Sequence, residues 1–297
     1  MKFWIVTPSY NQLEWLKLCI LSVADQCSQG LEVHHHIQDA ESDDGTKKFL
    51  HDYFLINQQC KTDKYSFSYS SEKDKGMYDA INRGWKLAPD DVDIMAHLNC
   101  DEQYLPNALR KISHCFLANE KVDVVLADVL IVDKNGEYIC HRRSLKPYSY
   151  ISKLWCAGFT ASTFHRLHIT RERNVYFNIR WKNIGDKIWY NTLHASQARF
   201  RVYNEIVSTF TDTGENLNWT EQGRKEGLIY MREILPCFKE NIQFLKKLSV
   251  FNALRRRAKE FILRAPKNYS IYVSGSSIRK FKVIKLATAS WSKNAWN

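Results

Sequence analysis

The chain has no C-x-x-C pair, although it carries eight cysteines: Cys19, Cys27, Cys60, Cys100, Cys115, Cys140, Cys156 and Cys237. A zinc knuckle needs such pairs, so that class is set aside. A chain of 297 residues does not depend on disulfides, and scattered cysteines fit a reducing compartment. Long apolar runs are also missing. The opening run at residues 3–6 is too short for a signal peptide, and no later run approaches a membrane span. The expectation is a cytoplasmic protein that meets a membrane, if at all, from its inner face. Acids are nearly absent from the C-terminal stretch. Residues 239–297 hold about 14 Lys or Arg against about 2 acids, roughly +12, while the whole chain is +11. The body before residue 239 is therefore close to neutral, and the basic character belongs to the tail.

What is present is ordinary globular material: 44% hydrophobic and 25% charged, with aromatics at 13%. The length suggests one large domain, or one with an appendage. Residues 2–7 read as a strand that breaks at Thr7-Pro8-Ser9-Tyr10-Asn11. Leu13, Leu16, Leu18, Ile20, Leu21 and Val23 form a helical stripe. A strand at 31–38 stops in the polar loop 39–46, and a helix covers 47–57. A strand at 65–70 is followed by a helix at 76–87, stopped by Pro89. A strand at 93–98 runs into the acidic turn Leu98-Asn99-Cys100-Asp101-Glu102, with a helix at 105–117 beyond and a fifth strand at 122–127.

Strand, polar loop and helix in alternation predict right-handed crossovers and a mainly parallel α/β sheet with helices on both faces. Ligands in such sheets bind at the carboxyl ends of the strands. The polar loops at 8–11, 39–46, 72–76 and 99–103 all fall there. After residue 127 the pattern changes. Residues 129–133 and 137–141 predict an antiparallel hairpin around Lys134-Asn135-Gly136. Residues 148–180 read as irregular. A helix at 187–195, a strand at 199–207 and a helix at 219–235 follow. The division expected is a ligand-binding half at 1–127, an acceptor-side half at 128–238 and a basic amphipathic tail at 239–297.

In that tail Phe244, Leu248, Phe251, Leu254, Ala258 and Phe261 recur at helical steps, with basic residues between them. Such a helix can lie on an anionic membrane or bind nucleic acid. It can also pack on the body with its basic face in water.

Asp101 and Glu102 stand side by side where a strand ends. Buried together, they need a cation, and a divalent metal takes few protein carboxylates plus substrate phosphates. Taken alone, the helix dipole after them is the simpler explanation. His34-His35-His36 invites a metal reading. Alternation in a strand lets only His34 and His36 share a face, so they are read as strand residues.

The loops together resemble family-two glycosyltransferases of the GT-A, Rossmann-like fold. Ile5-Val6-Thr7-Pro8-Ser9-Tyr10-Asn11 is similar to the family's opening. Asp39-Ala40-Glu41-Ser42-Asp43-Asp44-Gly45-Thr46 is similar to D-G-G-S-x-D-G-T, with Ala40 and Glu41 in place of two glycines. Residues 71–84 match S-E-x-D-x-G-I-Y-D-A-M-N-K-G, and Leu98-Asn99-Cys100-Asp101-Glu102 resembles L-N-S-D-D. The resemblance covers about the first 120 residues. It implies a nucleotide-diphosphate sugar donor such as a UDP-sugar, Mn²⁺ or Mg²⁺, and transfer with inversion to a saccharide or polyprenyl-linked saccharide, in surface-polysaccharide assembly. It implies that Pro8 and Tyr10 wall the nucleobase and Asp39 bonds its edge. Asp74 and Lys75 would lie near base, ribose or phosphate. Asp101, with Glu102, would hold the metal. A catalytic base opens a later helix in this family, and Asp186 in Asn183-Ile184-Gly185-Asp186 is the match; Asp212 is its rival.

With four loops on one rim, Asp101 is the metal-ligand candidate, while Glu102 either binds metal or caps. Asp43 and Asp44 read as helix caps, and Tyr78 with Asn82 as one helix face. A membrane-bound tail suits a lipid-linked acceptor, and no nucleic-acid partner is expected. The competing reading is a non-catalytic nucleotide- or membrane-binding protein on the same scaffold.

Overall fold

The computed structural model describes residues 1–28, 30–59, 64–148, 155–214, 220–234 and 242–289. Its first half is β1 (Lys2–Ser9), α1 (Leu13–Ala24), β2 (Glu32–Asp39), α2 (Thr46–Gln59), β3 (Tyr65–Ser71), α3 (Met77–Lys86) and β4 (Ile94–His97). The acidic turn leads to β5 (Gln103–Tyr104), α4 (Ala108–Leu117), β6 (Val124–Asp133) and β7 (Tyr138–Arg142). Then come β8 (Thr163–Arg166), α5 (Leu167–Arg171), α6 (Gly185–Ala195), β9 (Phe200–Asp212), α7 (Glu221–Ile234), α8 (Ile242–Ile262), β10 (Asn268–Ile271) and β11 (Lys280–Val283). One nine-stranded sheet runs β3-β2-β1-β4-β8-β6-β9-β5, with β7 beside β6.

The strands β3, β2, β1 and β4 are mutually parallel. β2, β3 and β4 are each reached by a helical crossover, as the alternating pattern predicts. β1 is buried on both faces, so it reads as a continuous apolar run rather than an alternating one. Helices cover both sides. Leu16, Ile20 and Val23 of α1 join Ile112 and Phe116 of α4 in one core. Ile81 and Trp85 of α3 join Trp189 and Leu193 of α6 in the other. In the second core Phe177, Trp85 and Trp189 form one cluster, with Phe177 5.3 Å from Trp85 and 4.9 Å from Trp189. Gly84 lets α3 lie flush on β1, because a Cβ there would overlap the methyl groups of Val6.

Beyond β4 the sheet differs from the sequence expectation. β6 is a single strand through residue 133, where the pattern suggested a break at 127. Register shifts against β9 at Ala127, Asp128 and Val129 bend it, which scrambles the alternation. β8 lies in the stretch read as irregular. It pairs antiparallel with β4 on one side and β6 on the other. Four residues, Thr-Phe-His-Arg, carry no period of their own, and their neighbours define the strand. β9 extends to Asp212, five residues past the expected end. Trp219, Leu235 and the 238/239 boundary lie outside the described residues, as do Cys60, Cys237, residues 290–297 and the side chains of Phe244 and Lys246.

The histidines of β2 are strand residues. His34 meets Ser66 and Ser68 at 2.7 Å each and stacks on Trp4 at 4.0 Å. His36 meets Ser68 and Gln38. Burial pushes His34 down to about 4, so the ring is neutral and its nitrogens are taken.

The C-terminal hairpin β10–β11 packs on the body. Tyr269, Ile271 and Ile284 form a core with Leu105, Leu130 and Val132. The Gln103 amide donates to Tyr272 O (2.9 Å) and accepts the Tyr272 N–H (2.8 Å). Arg279 reaches Asp25 and Tyr104 O. These bonds fix β5 directly after the acidic turn. No helix among the described residues is long and apolar enough to cross a membrane.

Candidate active site

Four parallel neighbours bring their carboxyl ends together, so the loops after β1, β2, β3 and β4 leave from one rim. The first two are stitched to each other. Asn11, at φ 50°, donates its N–H to Ser42 Oγ, and its side-chain oxygen accepts the Asp43 N–H, both at 2.9 Å. Asp44 accepts from Leu13 N–H (2.9 Å) and from the Thr46 amide and hydroxyl. Slight burial pushes the Asp44 carboxyl up, but these donors outweigh it and hold it below its usual value. Asp44 thus caps α2. Glu41 stands at φ 59°, in the left-handed region that a glycine would occupy without cost. The loop therefore keeps its shape without glycine, at a local cost of about 1–2 kcal/mol.

Asp39 is fully buried at the end of β2. Its Oδ2 accepts from Ser42 N–H (3.1 Å) and Ser71 Oγ (2.6 Å), and its Oδ1 from Ser42 Oγ (2.5 Å). One oxygen thus takes a single bond and retains capacity for a second donor. Pro8 is buried, and Tyr10 stands exposed just past it. In the third loop Asp74 accepts the Gly76 N–H at 2.7 Å. Lys75 donates its N–H to Asp79 (2.9 Å), and its carbonyl accepts Lys182 Nζ. The Lys75 side chain is exposed.

The acidic turn is tied to this rim by Cys100, whose thiol donates to Pro8 O at 3.2 Å. The two acids part ways. Glu102 is buried and accepts the Asn99 N–H at 2.8 Å, the work of a turn cap. Asp101 keeps partial exposure, and its carbonyl accepts the Thr211 hydroxyl. Burial raises both carboxyls above their usual range, and the Asp101 charge raises Glu102 further. Among the described residues no basic side chain offsets either, and Asn99 Oδ1 beside them is buried without a partner. An uncompensated carboxylate pair with an orphaned acceptor fits a cation. Among the described residues no three His, Cys, Asp or Glu cluster as an all-protein metal cage. Two carboxylates alone would leave most of such an ion's coordination to waters or to a ligand's phosphates.

Asp186 opens α6 and is half-buried. Its N–H donates to the Tyr78 hydroxyl at 3.2 Å, and its carboxylate accepts the Lys187 N–H at 2.7 Å. Burial raises its pKa, and the Lys187 bond and charge only partly offset that. Tyr190, 2.6 Å from Thr163, is raised by burial and feels the charges of both Asp186 and Glu102. The base candidate and Glu102 of the acidic turn therefore both lie within electrostatic reach of one residue. Asp212 accepts the N–H of Gly214 (φ 85°) at 3.1 Å, forming a turn.

Three positioning residues escape a reading of the sequence by function. Asn82 exchanges two bonds with Phe177 (2.8 and 2.9 Å). Tyr78, read as packing, stacks on Phe177 at 4.8 Å and carries the bond to Asp186. Glu226 of α7 accepts the N–H groups of Lys182 (3.0 Å) and Asn183 (2.8 Å), ordering the approach to α6. The i, i+4 spacing of Tyr78 and Asn82 was the available signal. Glu226 gave none. Trp181 and Trp189 are buried core residues.

Gly185 has no room for a side chain, since a Cβ would stand 2.7 Å from Tyr78 Cδ2. Gly185→Ala is expected to lower stability by about 1–3 kcal/mol in urea denaturation and to displace Asp186.

The glycosyl transferase family 2 model matches residues 4–207. The chain belongs to glycosyl transferase family 2. Its GT-A fold is seen in solved structures of low identity. S. aureus TarS 1-349 in complex with UDP-GlcNAc is 18% identical, with a TM-score of 0.55 over 73% of this chain and 61% of that one. S. aureus TarS gives 15% and 0.56, over 95% of this chain and 60% of that one. The mannosyltransferase PcManGT from Pyrobaculum calidifontis, in complex with GDP-Man and Mn²⁺, gives 13% and 0.57, over 87% and 72%. The family-2 chain thus spans about three fifths of the TarS structures. No curated protein matches it.

Proposed function

We propose that this family-2 protein is an inverting, metal-dependent glycosyltransferase. It moves a sugar from a nucleotide diphosphate, UDP by preference, to a hydroxyl of a saccharide or lipid-linked saccharide. The reading rests on one observation: a carboxylate pair with no described cation against it and a half-buried Asp186, its carboxyl raised by desolvation, both act on Tyr190. Solved neighbours carrying UDP-GlcNAc, and GDP-Man with Mn²⁺, support the donor class and the metal.

Pro8, Tyr10 and Asp39 form the nucleobase end in this reading, with a pyrimidine N–H given to Asp39. Asp74 and Lys75 stand by the ribose and phosphates, where the exposed Lys75 ammonium offsets charge. Asp101 holds the cation, and Glu102 ligates it or only caps the turn. When bound, Mn²⁺ or Mg²⁺ stabilises the charge growing on the leaving diphosphate. Asp186 accepts the acceptor hydroxyl proton as its oxygen attacks the anomeric carbon from the side opposite the diphosphate. The new C–O bond forms as the bond to the diphosphate breaks, so the configuration inverts. Surface-polysaccharide assembly at the inner face of the cell membrane is the setting proposed.

The test is a panel of UDP- and GDP-sugars with Mn²⁺, Mg²⁺ or chelator, reading transfer to saccharide and lipid-linked saccharide acceptors. Metal-dependent transfer from one donor, with inverted product, is expected. Nucleotide binding by calorimetry without transfer to any acceptor would instead favour the non-catalytic reading.

A further inference from the structure

The amphipathic helix of the tail docks the opposite way round from a helix on a soluble body. Such helices bury their apolar stripe and leave charge in water. In α8 the row Asn252, Arg255, Arg256, Lys259 and Glu260 faces the body. Arg255 donates to Lys146 O (2.8 Å) and lies over the Tyr148 ring at 4.5 Å. Lys259 stands 3.5 Å from the buried Asp128, which also takes Arg143 at 2.9 Å. Glu260 accepts from His141 at 2.7 Å and lies 3.5 Å from Arg143. Rolling the helix over would strip Asp128 and Arg143 of partners in a buried setting, so the orientation is locked.

The apolar stripe is consequently left in solvent. Val250 is 60% exposed, Phe251 50%, Leu254 56%, Phe261 93% and Ile262 77%. The exposed surface continues onto the hairpin. Phe281 and Val283, on one face of β11, are also exposed, and Phe281 shares a cavity of about 450 Å³ with Leu263 and Pro266. Between residues 247 and 289 the exposed charges are Lys247, Arg257, Arg264, Lys267, Lys280 and Lys285, and none is acidic.

We propose that the outward face of α8 docks on an anionic lipid surface, lying in its interface with Leu254 and Phe261 inserted. A self-complementary dimer through this face would set like charges against each other. An anionic bilayer supplies both an apolar layer and the opposite sign. The basic residues at the docked row do not reach the lipid. The insertion is carried by the apolar stripe, and the flanking cations add attraction.

The experiment is flotation of the full chain with vesicles of phosphatidylcholine alone or containing about a third phosphatidylglycerol, without donor or acceptor. The wild type is expected to float with the anionic vesicles. Leu254→Glu/Phe261→Glu is expected to lower the partition coefficient about 100-fold or more. Arg257→Glu/Lys267→Glu is expected to lower it about 10-fold or more. All four positions are exposed, and circular dichroism checks that folding is unchanged. Wild type that stays at the bottom, or variants that float as well as wild type, would overturn the proposal. So would a vesicle-free dimer that Leu254→Glu/Phe261→Glu dissociates, because the face would then belong to a second copy. The surface stands independently of the transferase reading: a chain that floats but transfers nothing keeps the first and loses the second.

Discussion

Asp186→Asn is expected to leave nucleotide-sugar binding intact while transfer falls by about 10²–10⁴-fold, the range that a positioned base supplies. The substitution is close to isosteric. Asn can still accept the Lys187 N–H, and the bond from the residue 186 amide to Tyr78 is a backbone bond that remains. What is lost is the capacity to take a proton. Calorimetry with UDP in Mn²⁺ should therefore match wild type, with product formation nearly abolished. A second signature is expected of the wild type. Burial raises the Asp186 carboxyl above the usual aspartate range. Its basic form is present only above that raised pKa, so kcat/KM should fall as pH drops through a value higher than an ordinary aspartate would give. Asp186→Asn should erase that acidic limb. Normal transfer by Asp186→Asn would reject the assignment and move the test to Asp212→Asn.

Asp101→Asn is the second large effect. Glu102 is buried and Asp101 half-buried, and among the described residues no cation stands against the pair. Replacing one member by an amide removes a negative charge from a site that is costly to hold unpaired. The free protein is therefore expected to be at least as stable in urea as wild type. Transfer, in contrast, should fall by about 10²–10³-fold, the scale of losing one electrostatic group at a developing charge. A binding readout separates this from a folding defect. In wild type Mn²⁺ should tighten UDP binding, and in Asp101→Asn that dependence should vanish. Retained dependence on Mn²⁺ for both binding and turnover would remove Asp101 from the metal. Glu102→Gln keeps an oxygen for the Asn99 N–H, so it distinguishes the two roles left for Glu102. A capping role predicts near-normal metal dependence, a ligand role its loss.

The rim was legible because its parts are local. Each polar loop follows a short apolar strand, and parallel crossovers gather such loops without further information. The acidic turn, the Asp39 loop and the Asp74–Gly76 loop could all be placed this way. The later half was harder to read. β8 is four residues without a period, made a strand by neighbours some 40 and 70 positions away in the chain. β6 was split in the reading because the register shifts near Asp128 break its alternation. Glu226 could not be found, since its carboxylate serves two backbone groups more than 40 residues distant.

The sequence by itself determined the alternating half and the rim with Asp101 on it, and its family resemblance supplied the candidate Asp186. Strand period, loop chemistry and helix spacing act over a few residues and are written locally. Only the tertiary structure decided three matters. It turned Glu102 inward to the Asn99 amide, while Asp101 kept partial exposure. It brought Asp186 and Glu102 both within electrostatic reach of Tyr190. It also docked α8 by its charged row, leaving the apolar stripe outside. Periodicity names two faces of a helix. Which face is buried depends on the partner surface, and here Asp128 and the His141–Arg143 strand end demanded charge.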